Sequence, residues 1–364
     1  MIEFDQVSKL YGDFVAVNDV SFTVAEGQVT VLIGPSGCGK TTSLRMVNRM
    51  IEPTDGYIRV QGKPVKSFPA EELRRGIGYV IQSVGLFPHM TVEENIGIVP
   101  RLLKWERKRR EQRARELLET IGLDPDTYMW KYPDELSGGE AQRIGVARAL
   151  AANPSILLMD EPFGAVDPLN REVLQNEFLA LQQKLKKTVI FVTHDLDEAI
   201  RLADTIILMK DGRIVQEDAP ERILAAPKND FVREFVGNDR ALKRLACFKA
   251  QDYMRPAETI ASDNIGALAA APKDTDASDI VWVLDRSEQL VGMLPRPTAE
   301  GNGYIPMRAE EIGVGHLSSL REALSRLLGQ GVKAVPVIDD AQRIIGEIRL
   351  LDIEELNQAS GVYK

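Results

Sequence analysis

Gly34-Pro35-Ser36-Gly37-Cys38-Gly39-Lys40-Thr41 fits the pattern GxxxxGK[ST] at every fixed position. It stands between an apolar run, Val29–Ile33, and an amphipathic stretch carrying Leu44 and Val47. A strand, this loop and a helix in that order commit the chain to an α/β fold. The glycines permit a tight loop whose N–H groups all point inward, and the following helix adds the positive end of its dipole. Such a loop is built for phosphate. Lys40 supplies charge to the β- and γ-phosphates, and Thr41 offers a hydroxyl to Mg²⁺. Cys38 sits where the loop asks only for a small side chain, so a catalytic thiol is not expected.

Val29–Ile33, Ile156–Met159 and Thr188–Val192 are apolar throughout instead of alternating, the pattern of strands buried on both faces of a parallel sheet. Ligands bind beyond the carboxyl ends of such strands. After the second run stand Asp160 and Glu161, adjacent acids that repel each other and suit a phosphate site better than a structural turn. Asp160 reaches the magnesium shell, and Glu161 takes the proton from attacking water. After the third run stands His194, whose neutral imidazole can hydrogen-bond the γ-phosphate. Leu136-Ser137-Gly138-Gly139-Glu140 is spaced as a capping box, yet two glycines in a first helical turn cost about 1 kcal/mol each against alanine. They make sense if bare backbone there approaches an anion closely. A second phosphate-facing site on a chain with one phosphate loop implies that two subunits complete each other's sites.

Composition narrows the class. The chain has 364 residues and 40.4 kDa, more than one average domain, with 44% hydrophobic and 27% charged residues, as in ordinary globular proteins. No stretch approaches the roughly 18 to 20 consecutive apolar residues of a membrane span. Met1-Ile2-Glu3-Phe4-Asp5 lacks the basic start and apolar core of a signal peptide, so an intracellular chain is expected, with any membrane role coming through a partner. A net charge of −9 argues against nucleic acid as the main ligand. Two cysteines, Cys38 and Cys247, make neither a disulfide framework nor a zinc site.

The phosphate loop, Gln82, Ser137-Gly138-Gly139-Glu140, Asp160-Glu161, Asp167 and His194, in that order, resemble the ATP-binding subunit of an ABC transporter over roughly Met1 to Gly237. The resemblance implies a P-loop nucleotide-binding domain with a helical subdomain, acting as a homodimer that sandwiches two ATP with Mg²⁺. Gly34 to Thr42, including Thr42 itself, would hold the phosphates of one ATP, with Ser137, Gly138 and Gly139 contributed in trans. Thr41, Gln82 and Asp160 would serve the metal; Glu161, His194 and Gln82 would serve catalysis; Asp167 would lie at the dimer interface. Tyr11 matches the aromatic that stacks on adenine, worth about 1–3 kcal/mol where measured for bases; otherwise it is a core tyrosine. Gln82 also matches the residue that links the metal to the membrane partner. Departures are small: Glu140-Ala141 replaces a commoner Gln-Gln, and Val166 stands where leucine is usual.

Ser36 to Arg49, Ile81-Gln82-Ser83-Val84-Gly85-Leu86-Phe87-Pro88-His89 and Asn229-Asp230-Phe231-Val232 resemble, more narrowly, the importers of glycine betaine and related osmoprotectants. That implies separate membrane permease subunits, a solute-binding protein, and a place on the cytoplasmic face of the membrane. An importer of another small solute, or a soluble ABC ATPase outside transport, is the rival reading.

Residues 238–250 are basic and read as a linker. Beyond them, Ile280-Val281-Trp282-Val283-Leu284-Asp285 with Leu290-Val291-Gly292-Met293-Leu294 aligns without a gap on Lys333 to Asp340 with Ile344-Ile345-Gly346-Glu347-Ile348. Each copy reads strand, Asp-containing turn, strand with glycine, and two such units bury their apolar faces against each other. Ser319-Leu320-Arg321-Glu322 opens the helix before the second copy. The duplication, 251–357 with halves 251–298 and 304–357, resembles a degenerate tandem CBS domain. Asp352 matches the position that holds a regulatory nucleotide's ribose. Arg349 stands where a Ser or Thr usually helps with phosphate, and Pro272 interrupts the first copy's helix. Finally, Arg101 to Arg115 is strongly basic on a net acidic chain. It is either a solvated helix with Glu106–Arg110 and Glu111–Arg115 pairs or a face for anionic lipid.

Overall fold

The structure, a computed structural model, describes residues 1–82, 85–164, 166–264, 280–295 and 304–359, with backbone alone at 168–170 and 357–359. The chain forms two compact units. The first comprises Met1–Ile223 and Pro227–Phe235, the second Leu224–Ala226 and Val236–Lys364.

In the first unit the three apolar runs are neighbouring central strands. Val29–Ile33, Thr188–Val192 and Ile156–Asp160 are buried along their whole length and run parallel. Ile77–Val80 extends the sheet beside Ile156–Asp160. On the other side come Thr205–Lys210, parallel, and Arg213–Asp218, antiparallel. Because these central strands run one way, the loops after Ile33, Asp160 and Val192 leave the same edge of the sheet. Asp160 pairs across to Val192, and Val192 to Leu32.

A second, antiparallel sheet was not foreseen by the α/β reading. Its order is Phe14–Val24, Ile2–Tyr11, Asp55–Val60, Lys63–Pro64. Val20, Phe22 and Val24 alternate inward and share one core with Leu32, Leu44 and Val47. Phe4 stacks on Phe22 at 4.2 Å between ring centroids. A helical layer of Val92–Ile96, Arg107–Thr120 and Gly138–Leu150 buries Ile96, Leu117, Leu118, Ile144 and Ala147. No helix among the described residues is long and apolar enough to cross a membrane.

The second unit carries the duplication in three dimensions. Ile280–Leu284 and Leu290–Pro295 form one antiparallel hairpin, Ala334–Ile338 and Ile344–Arg349 the other. The turns match atom for atom. Asp285 Oδ1 accepts from Ser287 N at 2.8 Å and Gln289 N at 2.9 Å; Asp339 Oδ1 accepts from Ala341 N at 2.9 Å and Arg343 N at 2.8 Å. Glu288 and Gln342 both take φ 61°, as the turn demands. The glycines have a reason too. A Cβ on Gly292 would lie 2.5 Å from Ile305 O, and one on Gly346 2.9 Å from Arg255 O, where a neighbouring segment crosses each hairpin. Ser319 caps helix Leu320–Gln330, accepting from Glu322 N, and Gly331 ends it in the left-handed region.

Residues 238–250, expected as a linker, belong to this second unit. The reason lies in the apolar residues inside the basic segment. Leu245 and Ala250 are buried in a core with Trp282, Ala323, Leu327 and Ile348. Pro272 and the first copy's helix lie outside the described residues.

Candidate nucleotide site

The phosphate loop is shaped by contacts that exclude side chains. A Cβ on Gly34, at φ 149°, would sit 2.2 Å from Met209 O, and one on Gly39, at φ 103°, 2.5 Å from Ala16 O. No side chain caps helix Lys40–Val47, so its first N–H groups remain available to a ligand. Lys40 is only 6% exposed, and its Nζ donates to Gly34 O at 2.7 Å and Pro35 O at 3.0 Å. Among the described residues no carboxylate pairs with it. A buried ammonium turned into a glycine cradle without a counter-charge fits an anionic ligand. Burial pushes the Cys38 thiol up, so it stays protonated and inert.

The metal-binding expectation rests on oxygen donors. Thr41 Oγ1 donates to Asp160 Oδ1 at 2.8 Å, and Asp160 is 2% exposed. Among the described residues no cluster of three or more metal-ligating side chains exists. Mg²⁺ keeps waters and substrate phosphate oxygens and is bound through one or two carboxylates, and the single carboxylate of Asp160 beside the Thr41 hydroxyl supplies that kind of donor. The donor set fits the ion.

Beside it, two expected residues, Gln82 and His194, converge on one oxygen of a third, Glu161. Glu161 Oε2 lies 3.2 Å from His194 Nδ1 and accepts from Gln82 Nε2 at 3.1 Å. Glu161 itself has φ 46°, a left-handed conformation that costs energy for a residue with a Cβ, and its N–H is held by Val192 O at 2.9 Å. The neighbouring strand therefore holds the strained backbone of Glu161 in place. His194 is 63% exposed, and so accessible to a substrate.

Ser137 caps helix Gly138–Leu150 in a full capping box, with Glu140 Oε2 accepting from Ser137 N at 2.7 Å. Glu140 Oε1 also accepts from Tyr128 Oη, which explains an acid where glutamine is commoner. Cβ atoms built on Gly138 and Gly139 meet nothing within 4 Å. Within the chain, packing gives no reason for glycine there. Tyr11 is 48% exposed at the end of its strand, with Lys9 Nζ 4.9 Å from its ring centroid, so it is no core residue. Asp167 is exposed, and its carbonyl accepts from Arg171 N at 2.9 Å.

Sequence reasoning missed Arg45 and Tyr79, which approach Asp160 Oδ2 at 3.4 and 3.5 Å. Arg45 lies one helical turn after Thr41, a spacing that could have shown it. Tyr79 arrives from a neighbouring strand, which no local pattern reveals. In the second unit, Asp352 Oδ1 pairs with Arg255 at 2.6 Å and its Oδ2 accepts from Arg349 N at 3.3 Å.

In the basic run Arg107, Arg109, Arg113 and Arg115 are engaged. The expected Glu106–Arg110 and Glu111–Arg115 pairs give way to Arg107–Glu111 at 2.7 Å and Arg115–Asp126 at 2.7 Å. Glu106 precedes the helix as its cap and so leaves the i,i+4 register. Arg113 donates to Leu150 O and Ala151 O, and Arg109 stacks on Trp105 at 3.7 Å.

Comparison with known proteins agrees with this geometry. A family model described as ABC transporter matches residues 17–164. The osmoprotectant import ATP-binding protein OsmV of Salmonella typhimurium is 48% identical over 345 residues, 92% of this chain and 88% of that protein. The chain belongs to the ATP-binding proteins of the ABC transporter family. The glycine betaine/carnitine/choline transport ATP-binding protein OpuCA of Bacillus subtilis is 44% identical, over 95% of this chain and 93% of its own length. Among solved structures, a bacterial ABC transporter cassette in dimeric form is similar, with a TM-score of 0.55 and 34% identity. It matches 60% of this chain and 99% of its own. The same cassette is known in a post-hydrolysis state bound to ADP and Pi. The fold is that of an ABC ATPase cassette, with ATP and Mg²⁺ as the ligands of its phosphate loop.

Proposed function

We propose that this chain is the ATP-hydrolysing subunit that energises import of an osmoprotectant, glycine betaine or a related quaternary amine, through separate membrane permease subunits fed by a solute-binding protein. The names of its relatives support the solute class. The observation that carries the chemistry is the convergence of Gln82 and His194 on one oxygen of Glu161, beside the Thr41–Asp160 pair.

Lys40 and the N–H groups of Gly34 to Thr42 grip the phosphates, and Tyr11 stacks on the adenine. Thr41, Asp160 and Gln82 would hold Mg²⁺, which would supply neutralising charge to the phosphates. Glu161 takes the proton from the attacking water, and His194 orients water and carboxylate. Ser137, Gly138 and Gly139 act in trans on the partner copy's ATP. Their open, uncontacted backbone supports this, and Asp167 belongs to the same dimer interface. Closure of the dimer by ATP moves the permease, and hydrolysis reopens it, with the chain peripheral on the cytoplasmic face of the membrane.

The second unit is a degenerate tandem CBS module. Asp352, drawn toward Arg255 and Arg349, is its candidate for a nucleotide's ribose, in competition with those partners. The lipid-facing role of 101–115 falls to the residues of the run left exposed, Lys104 and Lys108 among them.

The test is uptake of labelled glycine betaine, choline and carnitine into vesicles holding the permease, the solute-binding protein and this chain. ATP-dependent accumulation that Glu161→Gln abolishes is expected. Robust ATP hydrolysis without uptake of any of the three would overturn the solute class.

A further inference from the structure

Glu161 and His194 leave adjacent strands on separate loops, and their contact at 3.2 Å requires those loops to keep one spacing. Helix Pro168–Leu185 supplies the link. Arg171 Nη2 donates to Val166 O at 3.2 Å, in the loop that follows Glu161. Arg171 Nη1 forms an ion pair at 3.6 Å with Asp195 Oδ2, the residue directly after His194. The other oxygen of Asp195 caps the next helix, Leu196–Leu202, accepting from Asp197 N at 2.9 Å and Glu198 N at 3.2 Å. One carboxylate thus fixes the backbone beside His194 from two directions.

The same two helices are joined by further rungs. Gln175, one turn after Arg171, donates to buried Glu198 Oε1 at 3.1 Å. Arg201 reaches Glu172 at 2.9 Å and Asn176 at 2.7 Å. The inner rung is the odd one. Arg171 Nε is buried with no partner.

We propose that Arg171 is a positioning residue for hydrolysis, closing a ring Glu161–His194–Asp195–Arg171–Val166 that holds base and histidine at contact distance. The ring makes the two loops one body on the helix Pro168–Leu185, so the geometry around the attacking water depends on a residue that touches neither nucleotide nor water. The inference rests on the ATPase reading of the site.

The experiment measures steady-state ATP hydrolysis and equilibrium nucleotide binding by the full chain carrying Arg171→Met, Arg171→Lys, Asp195→Asn or Arg201→Met, the first also in a His194→Ala background. Asp195→Asn keeps the cap acceptor and removes the charge that faces Arg171, so it decides the matter if Arg171→Met does not fold. The expected result is a kcat about tenfold lower for Arg171→Met and Asp195→Asn, a fraction of the roughly 100-fold that a 1 Å misplacement can cost. KM and nucleotide affinity should stay within about twofold, Arg171→Lys should recover part of the rate, and Arg201→Met should leave it unchanged. In the His194→Ala background, Arg171→Met should have little further effect, the non-additivity of residues acting as a unit. Unchanged kcat in Asp195→Asn, or full additivity with His194→Ala, overturns the proposal. Failure of the ATPase reading looks different: the unsubstituted chain then shows no hydrolysis above that of Glu161→Gln.

Discussion

His194 Nδ1 lies 3.2 Å from Glu161 Oε2, although the two residues are separated by a helix and a strand in the sequence. In the proposed mechanism Glu161 is the carboxylate that acts on water. Asp160 points its oxygens at Thr41, Arg45 and Tyr79 instead, so two adjacent acids divide their work through the side chains that meet them.

That division predicts the behaviour of Glu161→Gln. The amide cannot accept a proton, and removal of a general base costs about 10²–10⁴ in rate. ATP affinity should be retained, because Lys40 and the loop are untouched. Phosphate release and equilibrium nucleotide binding, measured side by side, check it.

Gly138→Ala separates fold from assembly. The added methyl meets nothing within the chain, and alanine in a helix gains about 1 kcal/mol over glycine. The isolated protein should be as stable as the parent or slightly more so. ATP-dependent association in a Glu161→Gln background should weaken at least tenfold, seen by light scattering.

Glu198 gives a pH test. Burial is the first cause raising its pKa above the ordinary carboxyl value, partly offset by hydrogen bonds from Thr193 and Gln175. A raised native pKa means that the folded chain binds this proton more tightly than the unfolded one. Stability from this group is therefore full below the ordinary carboxyl range and is lost as pH rises through the native value. Glu198→Gln keeps the bond from Gln175 and removes the charge. Its melting temperature should exceed the parent's at pH 8, by about 2–4 °C for each kcal/mol recovered, and the gap should close near pH 4.

In the second unit, Glu347 is fully buried and accepts from Trp282 Nε1 at 2.9 Å and Arg349 Nε at 2.6 Å. Arg349→Met would leave a buried carboxylate without its cation, a change that costs about 3–5 kcal/mol in proteins. Thermal unfolding should show the second unit melting earlier, with ATP binding unaffected.

Much of the candidate site's arrangement was legible because its pattern is local. A glycine loop, an acid pair and a histidine each follow a buried apolar run, and a parallel sheet gathers such ends at one edge. The duplicated turn was legible for the same reason: Asp285 and Asp339 bond backbone within four residues of themselves. What escaped notice depended on distant partners. Tyr79 reaches Asp160 across a strand pair, and the antiparallel sheet joins Ile2–Tyr11 to Asp55–Val60 from far along the chain. The segment 238–250 misled because its lysines and arginines outnumber the few apolar side chains that anchor it.

The segments crossing the two hairpins have a consequence for how the duplicated unit holds together. Arg255 bridges to Glu347 in the later copy, and four residues on, Thr259 pairs with Trp282 in the earlier one. Ile305 and Pro306 edge the earlier sheet before Val314 joins the later. The copies are woven, not strung like beads. A protease nick or deletion between them would fray both at once, so this unit should survive only whole.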